Sequence, residues 1–249
     1  MVSPLGFAAL VVIGFVAAVI NVIAGGGSFL TLPLLLFLGL PASVANGTNR
    51  VGVLAQNVSA VVGFHRHQAL PFRWALAVSV PAVAGAALGA WAALHVPDVA
   101  FRRILSIVML VVAFGTLLHR SRAGVPREAL RPPWHWTMIA GFFGTGLYGG
   151  FLQAGVGFLA LAMTSLAGLD LVRGNAIKVF TVMLLTLLSL AVFAGTGHVD
   201  WPAGAALALG NLLGGIVGVR VAVLKGHRWL GRVVTLTIVV FAVLLWVTG

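Results

Sequence analysis

The side chains able to do chemistry in this chain are few, and most lie in two kinds of interruption of long apolar runs. The first is Asn21-Val22-Ile23-Ala24-Gly25-Gly26-Gly27-Ser28, matched later by a glycine-rich stretch from Gly149 to Gly157 that contains Gln153 and Gly155. Glycine inside a helix costs roughly 1 kcal/mol relative to alanine. Three in succession therefore mark a place where one helix stops and another starts. The new start leaves N–H groups near 26–29 without intrahelical acceptors, at the positive end of a helix dipole, which suits an anion. Close helix packing through glycine is the alternative reading. Pro33 just downstream and the recurrence of the break favour an interrupted helix.

The second interruption is Ala45-Asn46-Gly47-Thr48-Asn49-Arg50, matched by Gly174-Asn175-Ala176-Ile177-Lys178. Arg50 and Lys178 are cations in apolar surroundings, and Asp170 is the only carboxylate near either. A bound anion is a candidate counter-charge, with Asn46, Thr48, Asn49 and Asn175 as polar contacts. The other reading is snorkelling, since each cation stands about one turn inside its helix. Asn49, Gln56 and Ser59 recur at helical spacing, so some of them share one face, and Gln153 offers an amide from the later stretch. Tyr148, the only tyrosine, reads as an interface anchor. His65 and His67 flank Arg66 and admit a proton relay, although idle surface histidines are commoner. Cysteine is absent, acidic residues number four, and there is no His-x-x-x-His pair, no Ser/His/Asp set within one span and no Gly-x-x-x-x-Gly-Lys loop. The expectation is a non-enzyme without metal or cofactor.

The elements that must position these residues follow from composition. Of 249 residues, 61% are hydrophobic and only 8% charged, against roughly a quarter charged in soluble domains. Continuous apolar runs such as Leu5 to Ala24, Ala75 to Leu94 and Leu230 to Val247 are long enough to cross a bilayer as helices. They do not alternate as barrel strands do. The first run has neither a basic segment before it nor a cleavage pattern after it, and reads as a retained helix. The net charge of +11 sits in short connections (Arg66 and Arg73; Arg120 to Arg131; Arg220 to Arg232). Such loops mark the cytoplasmic side of a membrane protein, not a nucleic-acid surface.

The sequence also repeats at an offset of 129: Gly26-Phe29-Leu30-Leu32 matches Gly155-Phe158-Leu159-Leu161, and Asn46 matches Asn175. Five elements are expected in each half, at about 4–24, 28–40, 44–64, 75–95 and 101–118, then 134–152, 157–169, 174–194, 203–222 and 230–247. The expected organisation is a repeat over 1–118, a basic cytoplasmic linker over 119–133 and a second repeat over 134–249. The pieces 28–40 and 157–169 either cross thinly or re-enter. With five crossings per half the repeats are inverted and the loops 65–73, 119–133 and 220–232 share one side, which the positive-inside rule favours. The fold class is thus an all-α membrane protein of two inverted repeats with short broken or re-entrant helices.

The run Ala24 to Pro33, then Gly39-Leu40-Pro41 and Ala45 to Asn49, resembles the first-half signature of the TauE/SafE sulfite exporter family. Gly155, Gly157, Gly168 and Gly174 to Lys178 resemble its repeat. The resemblance covers nearly the whole chain. It implies a multi-pass carrier of the cytoplasmic membrane for sulfur-containing anions such as sulfite, sulfoacetate or another organosulfonate, with protons as a candidate coupling ion. Its motif falls on Gly25, Gly26, Gly27, Pro33, Asn46, Gly47, Thr48 and Asn49. The second half departs from it with Ala154 and Val156 where Gly25 and Gly27 stand. The combined expectation is one central anion site formed by Gly25, Gly26, Gly27, Ser28, Asn46, Thr48, Asn49, Arg50, Gln56, Gln153, Gly155, Asn175 and Lys178. It would work by alternating access, with a passive anion channel as the alternative; the chain admits a homo-oligomer.

Overall fold

A computed structural model describes residues 3–118 and 131–224. The tenth expected element, at 230–247, and most of the basic linker lie outside the described residues. The described residues form helices joined by short connections, without strands. In order they are α1 (Pro4–Ile23), α2 (Ser28–Phe37), α3 (Ala42–Arg66), α4 (Phe72–Leu94), α5 (Asp98–Leu118), α6 (Trp136–Phe151), α7 (Val156–Leu166), α8 (Leu171–Gly195) and α9 (Trp201–Leu224). Four of them, α1, α4, α8 and α9, are both long and apolar enough to cross a membrane. The 25-residue α3 is about 37 Å long at 1.5 Å per residue, but it carries the polar cluster and so falls short in hydropathy.

Local chemistry accounts for the helix starts. Pro4 opens α1 behind Ser3, whose hydroxyl accepts from the Gly6 N–H at 3.2 Å. Asp170 caps α8 by accepting from Val172 and Arg173, both at 3.0 Å. These are the usual N-terminal solutions. The element order repeats: displacing α3 by 129 positions returns the bounds of α8, and α2, α4 and α1 so displaced overlay α7, α9 and α6 within three residues. The breaks after Ile23 and after Phe151 therefore fall at equivalent places.

Packing exchanges partners between the two series of helices. α1 lies along α9 so closely that a Cβ on Gly210 would stand 2.0 Å from the Val11 carbonyl oxygen. α6 lies along α4 in the same way, with a Cβ on Gly146 placed 1.8 Å from the Ala82 oxygen. Small residues allow this backbone approach, which drives helix association in lipid. Both pairs run parallel, because Val11 and Phe15 meet Gly210 and Gly214, and Ala82 and Ala86 meet Gly146 and Gly150. α3 also runs parallel to α9, with Gly47 beside His198 and Gly63 beside Val219. Since α1 and α3 run the same way, α2 is the return stroke between them. Apolar side chains such as Val12, Leu88, Leu209 and Leu213 face outward, as lipid contact requires.

Candidate functional site

The two breaks meet. Gly25 takes a φ of +96°, and a Cβ there would lie 2.5 Å from the Gly157 carbonyl carbon; a Cβ on Gly157 would lie 2.5 Å from the Gly25 Cα. Only glycine fits either position. Gly27 serves packing instead, since its Cβ would stand 1.9 Å from the Ala17 oxygen. The two readings of the glycine run hold at different residues. In the second break Gly155 caps α7 at φ +77°, and Gln153 holds a left-handed φ of +63°, rare for a residue with a Cβ. The break begins after Phe151, so Gly149 and Gly150 are the last turn of α6 rather than part of the interruption.

Both cations are buried, Arg50 at 0% and Lys178 at 2% exposure, so neither reaches headgroups. Each closes the carbonyl end of a broken helix from the other series. Arg50 Nη1 donates to the Gly149 oxygen at 3.2 Å and to Gln153 Oε1 at 2.9 Å. Its Nη2 donates to the Gly150 oxygen and, at 3.4 Å, to Asn46 Oδ1. The guanidinium lies 4.7 Å from the centroid of the Phe193 ring, a cation–π contact. Lys178 Nζ donates to the oxygens of Asn21 at 2.8 Å and Val22 at 2.7 Å, and to Asn175 Oδ1 at 2.7 Å. The parallel is close. Displacing Arg50 by 129 falls one residue past Lys178, and the carbonyls it caps fall one residue before those that Lys178 caps.

The electrostatic consequence is directional. A helix carries about half a negative charge at its carbonyl end and half a positive charge at its N–H end. At each break a carbonyl end lies a few residues from the next N–H end, and uncapped the two would largely cancel. The cations occupy the carbonyl ends, leaving the N-termini of α2 and α7 as net positive poles. The N–H groups of Gly26, Gly27 and Ser28 find no acceptor among the described residues. Three buried side-chain donors are in the same position: Asn49 Nδ2, Arg50 Nε and Asn175 Nδ2. Buried polar groups nearly always have partners, so a local surplus of donors marks a place suited to an acceptor-rich ligand.

The other expected residues divide. Asn46 belongs to the Arg50 cluster, and its Nδ2 donates to the Phe151 oxygen at 2.7 Å. Gln153 ties the cluster to α8 through Thr186 at 2.9 Å. Gln56 accepts from Asn21 Nδ2 at 3.1 Å, joining α3 to the end of α1. Asn49 Oδ1 accepts from Thr31 Oγ1 across to α2. Thr48 stands apart: its hydroxyl accepts from the Asp200 N–H at 2.8 Å and holds the start of α9. Ser59 turns away to a groove between α3 and α9. Tyr148 is no interface anchor, because its hydroxyl donates to the Ala154 oxygen and closes the second break. Asp170 pairs with Arg173 at 3.5 Å, not with Lys178. Asn21, which opens the first interruption, joins the site through its amide and its carbonyl; Thr31, Thr186 and Phe193 join it without having been expected there. A lone hydroxyl in an apolar helix was the available signal for the two threonines.

The profile of the family described as Sulfite exporter TauE/SafE matches residues 10–245. The chain belongs to this family. Among its relatives is the probable membrane transporter protein ORF9 of Sinorhizobium sp., 30% identical over 220 residues, covering 88% of this chain and 84% of that protein. A probable membrane transporter protein of Haemophilus influenzae is 28% identical over 215 residues, 86% of this chain and 84% of that one. The probable membrane transporter protein YfcA of Escherichia coli K12 is 28% identical over 229 residues, 92% and 85% respectively. No solved structure matches the chain. The TauE/SafE member described here is a multi-pass membrane transporter, and its breaks and buried cations lie within the matched region.

Proposed function

We propose that the chain is a secondary transporter of the cytoplasmic membrane that moves a small sulfur-containing oxyanion, such as sulfite, sulfoacetate or another organosulfonate, by alternating access around the paired breaks. The observation that carries this reading is the surplus of buried donors there: Asn49 Nδ2, Arg50 Nε and Asn175 Nδ2 lack acceptors beside two helix N-termini. An oxyanion offers acceptors only, so it would complete these bonds and lie at the positive poles. Arg50 and Lys178 then act chiefly by neutralising the carbonyl ends of α6 and α1, keeping the anion seat positive.

Helix direction supports two inverted halves, 1–118 and 134–249, with the basic segment 119–133 as the cytoplasmic connection. α6 runs with α4, which returns from α3 through the short connection 67–71, whereas α1 runs with α3 and α9. Rocking of one half against the other would open the seat to each side in turn. Contact of the Gly25 and Gly157 backbones, with no room for a methyl group, favours a gated route over a permanently open pore.

The test is uptake of radiolabelled sulfite and sulfoacetate into vesicles containing the purified protein. Saturable uptake, accelerated by unlabelled anion inside, is the expected result, and an imposed proton gradient reports on coupling. Flux that rises linearly with concentration and shows no counterflow would establish a channel. Flux no greater than in protein-free vesicles, for every oxyanion tried, would sink the anion reading.

A further inference from the structure

Away from the breaks, α3 and α9 enclose a groove of about 410 Å3 on the outer surface. Its walls are apolar and outward-facing: Val58 and Val62 on α3, Leu212 and Ile216 on α9 are 40–47% exposed. One end carries Arg66 and Arg220, with His67 beside them. Both arginines are exposed, and neither has an ion pair or hydrogen bond among the described residues. Acids to pair with them are scarce. Of the four in the chain, Asp98 accepts from the Ala42 N–H, Asp170 pairs with Arg173 and Asp200 caps α9, which leaves Glu128 outside the described residues.

The repeat makes the groove more informative. At the equivalent positions, 129 residues away, Arg66 corresponds to Gly195 and Arg220 to Trp91. The architecture therefore does not require cations at this place, since the equivalent positions on α8 and α4 carry none. The basic end also lies toward the C-termini of α3 and α9, beside the connection 67–71 with Arg73 after it.

From this geometry we infer that the α3–α9 groove is a binding site for an anionic phospholipid, with an acyl chain along Val58, Val62, Leu212 and Ile216 and the phosphate on Arg66 and Arg220. The chemistry is complementary along the whole groove: apolar where it faces the hydrocarbon, doubly cationic where it reaches headgroup level. A second copy of this chain is a poor occupant, because its net charge of +11 would set like charge against like.

Native mass spectrometry of the full chain, purified from vesicles of phosphatidylcholine with phosphatidylglycerol, reads the site directly. The intact protein is expected to retain phosphatidylglycerol over phosphatidylcholine. Each cation lost should weaken retention about 5-fold, and Arg66→Gln with Arg220→Gln together about 30-fold, from about 1 kcal/mol per basic side chain near an anionic surface. Arg73→Gln, on the same face but outside the groove, should retain lipid as the parent does. Ile216→Trp keeps both cations and fills the apolar wall, so it too should lose the lipid while the protein elutes as a single folded species. Glycerol 3-phosphate and inorganic phosphate should not displace the lipid. Equal retention by the double variant, equal loss in Arg73→Gln, or full displacement by free phosphate would overturn the assignment.

Discussion

Replacing Lys178 by methionine separates two roles for a buried cation. Its ammonium donates three hydrogen bonds of 2.7–2.8 Å, to the Asn21 and Val22 carbonyls and to Asn175. Methionine fills similar space but leaves three buried acceptors without a donor. Each abandoned acceptor costs roughly 1–3 kcal/mol. Removing the ammonium also removes its desolvation cost, several kcal/mol, so the net loss is about 2–4 kcal/mol. For a chain of this size that corresponds to about 5–15 °C in melting temperature. The assay is thermal unfolding of the detergent-solubilised protein with and without sulfite. The expected outcome is a lower melting temperature for Lys178→Met even without ligand, because the carbonyl end of α1 has lost its cap. A variant that melts at or above the parent without ligand, yet loses all stabilisation by sulfite, would refute the capping argument. Lys178 would then be a charge held for the anion. Arg50→Met tests the equivalent contact at the end of α6 and should behave alike.

Other outcomes follow from the same contacts. Asn49→Ala should weaken sulfite binding about tenfold through the lost Nδ2 donor, and should also cost roughly 1–3 kcal/mol of ligand-free stability because the Thr31 hydroxyl loses its acceptor; thermal shift titration measures both. Gly25→Ala should destabilise by roughly 1–3 kcal/mol and abolish vesicle uptake, since its φ is +96° and its Cβ would strike Gly157. Gly144→Ala, where a Cβ meets nothing within 4 Å, should be neutral or stabilising by up to about 1 kcal/mol. Thr48→Val should cost about 1 kcal/mol through its lost bond to Asp200 yet leave the KM for the anion unchanged, as vesicle uptake over a concentration series would show.

Much of this protein was readable before any coordinates. Lipid-length apolar runs, the scarcity of acids and the basic connections determine a helical membrane protein, because hydropathy and charge placement answer to the bilayer rather than to partner contacts. The repeat and the glycine-rich breaks were also legible: three glycines before a proline bear on local backbone geometry alone. Tertiary structure decided what the buried polar groups do. Lys178 meets carbonyls 157 and 156 residues away, and Arg50 meets carbonyls 99 and 100 residues away. Nothing in the periodicity of α3 or α8 encodes those partners. They arise because α1 packs on α9 and α6 on α4, and this exchange brings the end of each broken helix to a cation from the other series. The same exchange spends Thr48 on the start of α9, turns Ser59 outward and sets Gly25 against Gly157. Local sequence specifies where a helix ends, and the choice of neighbour, made by small residues matching across the chain, specifies what closes that end.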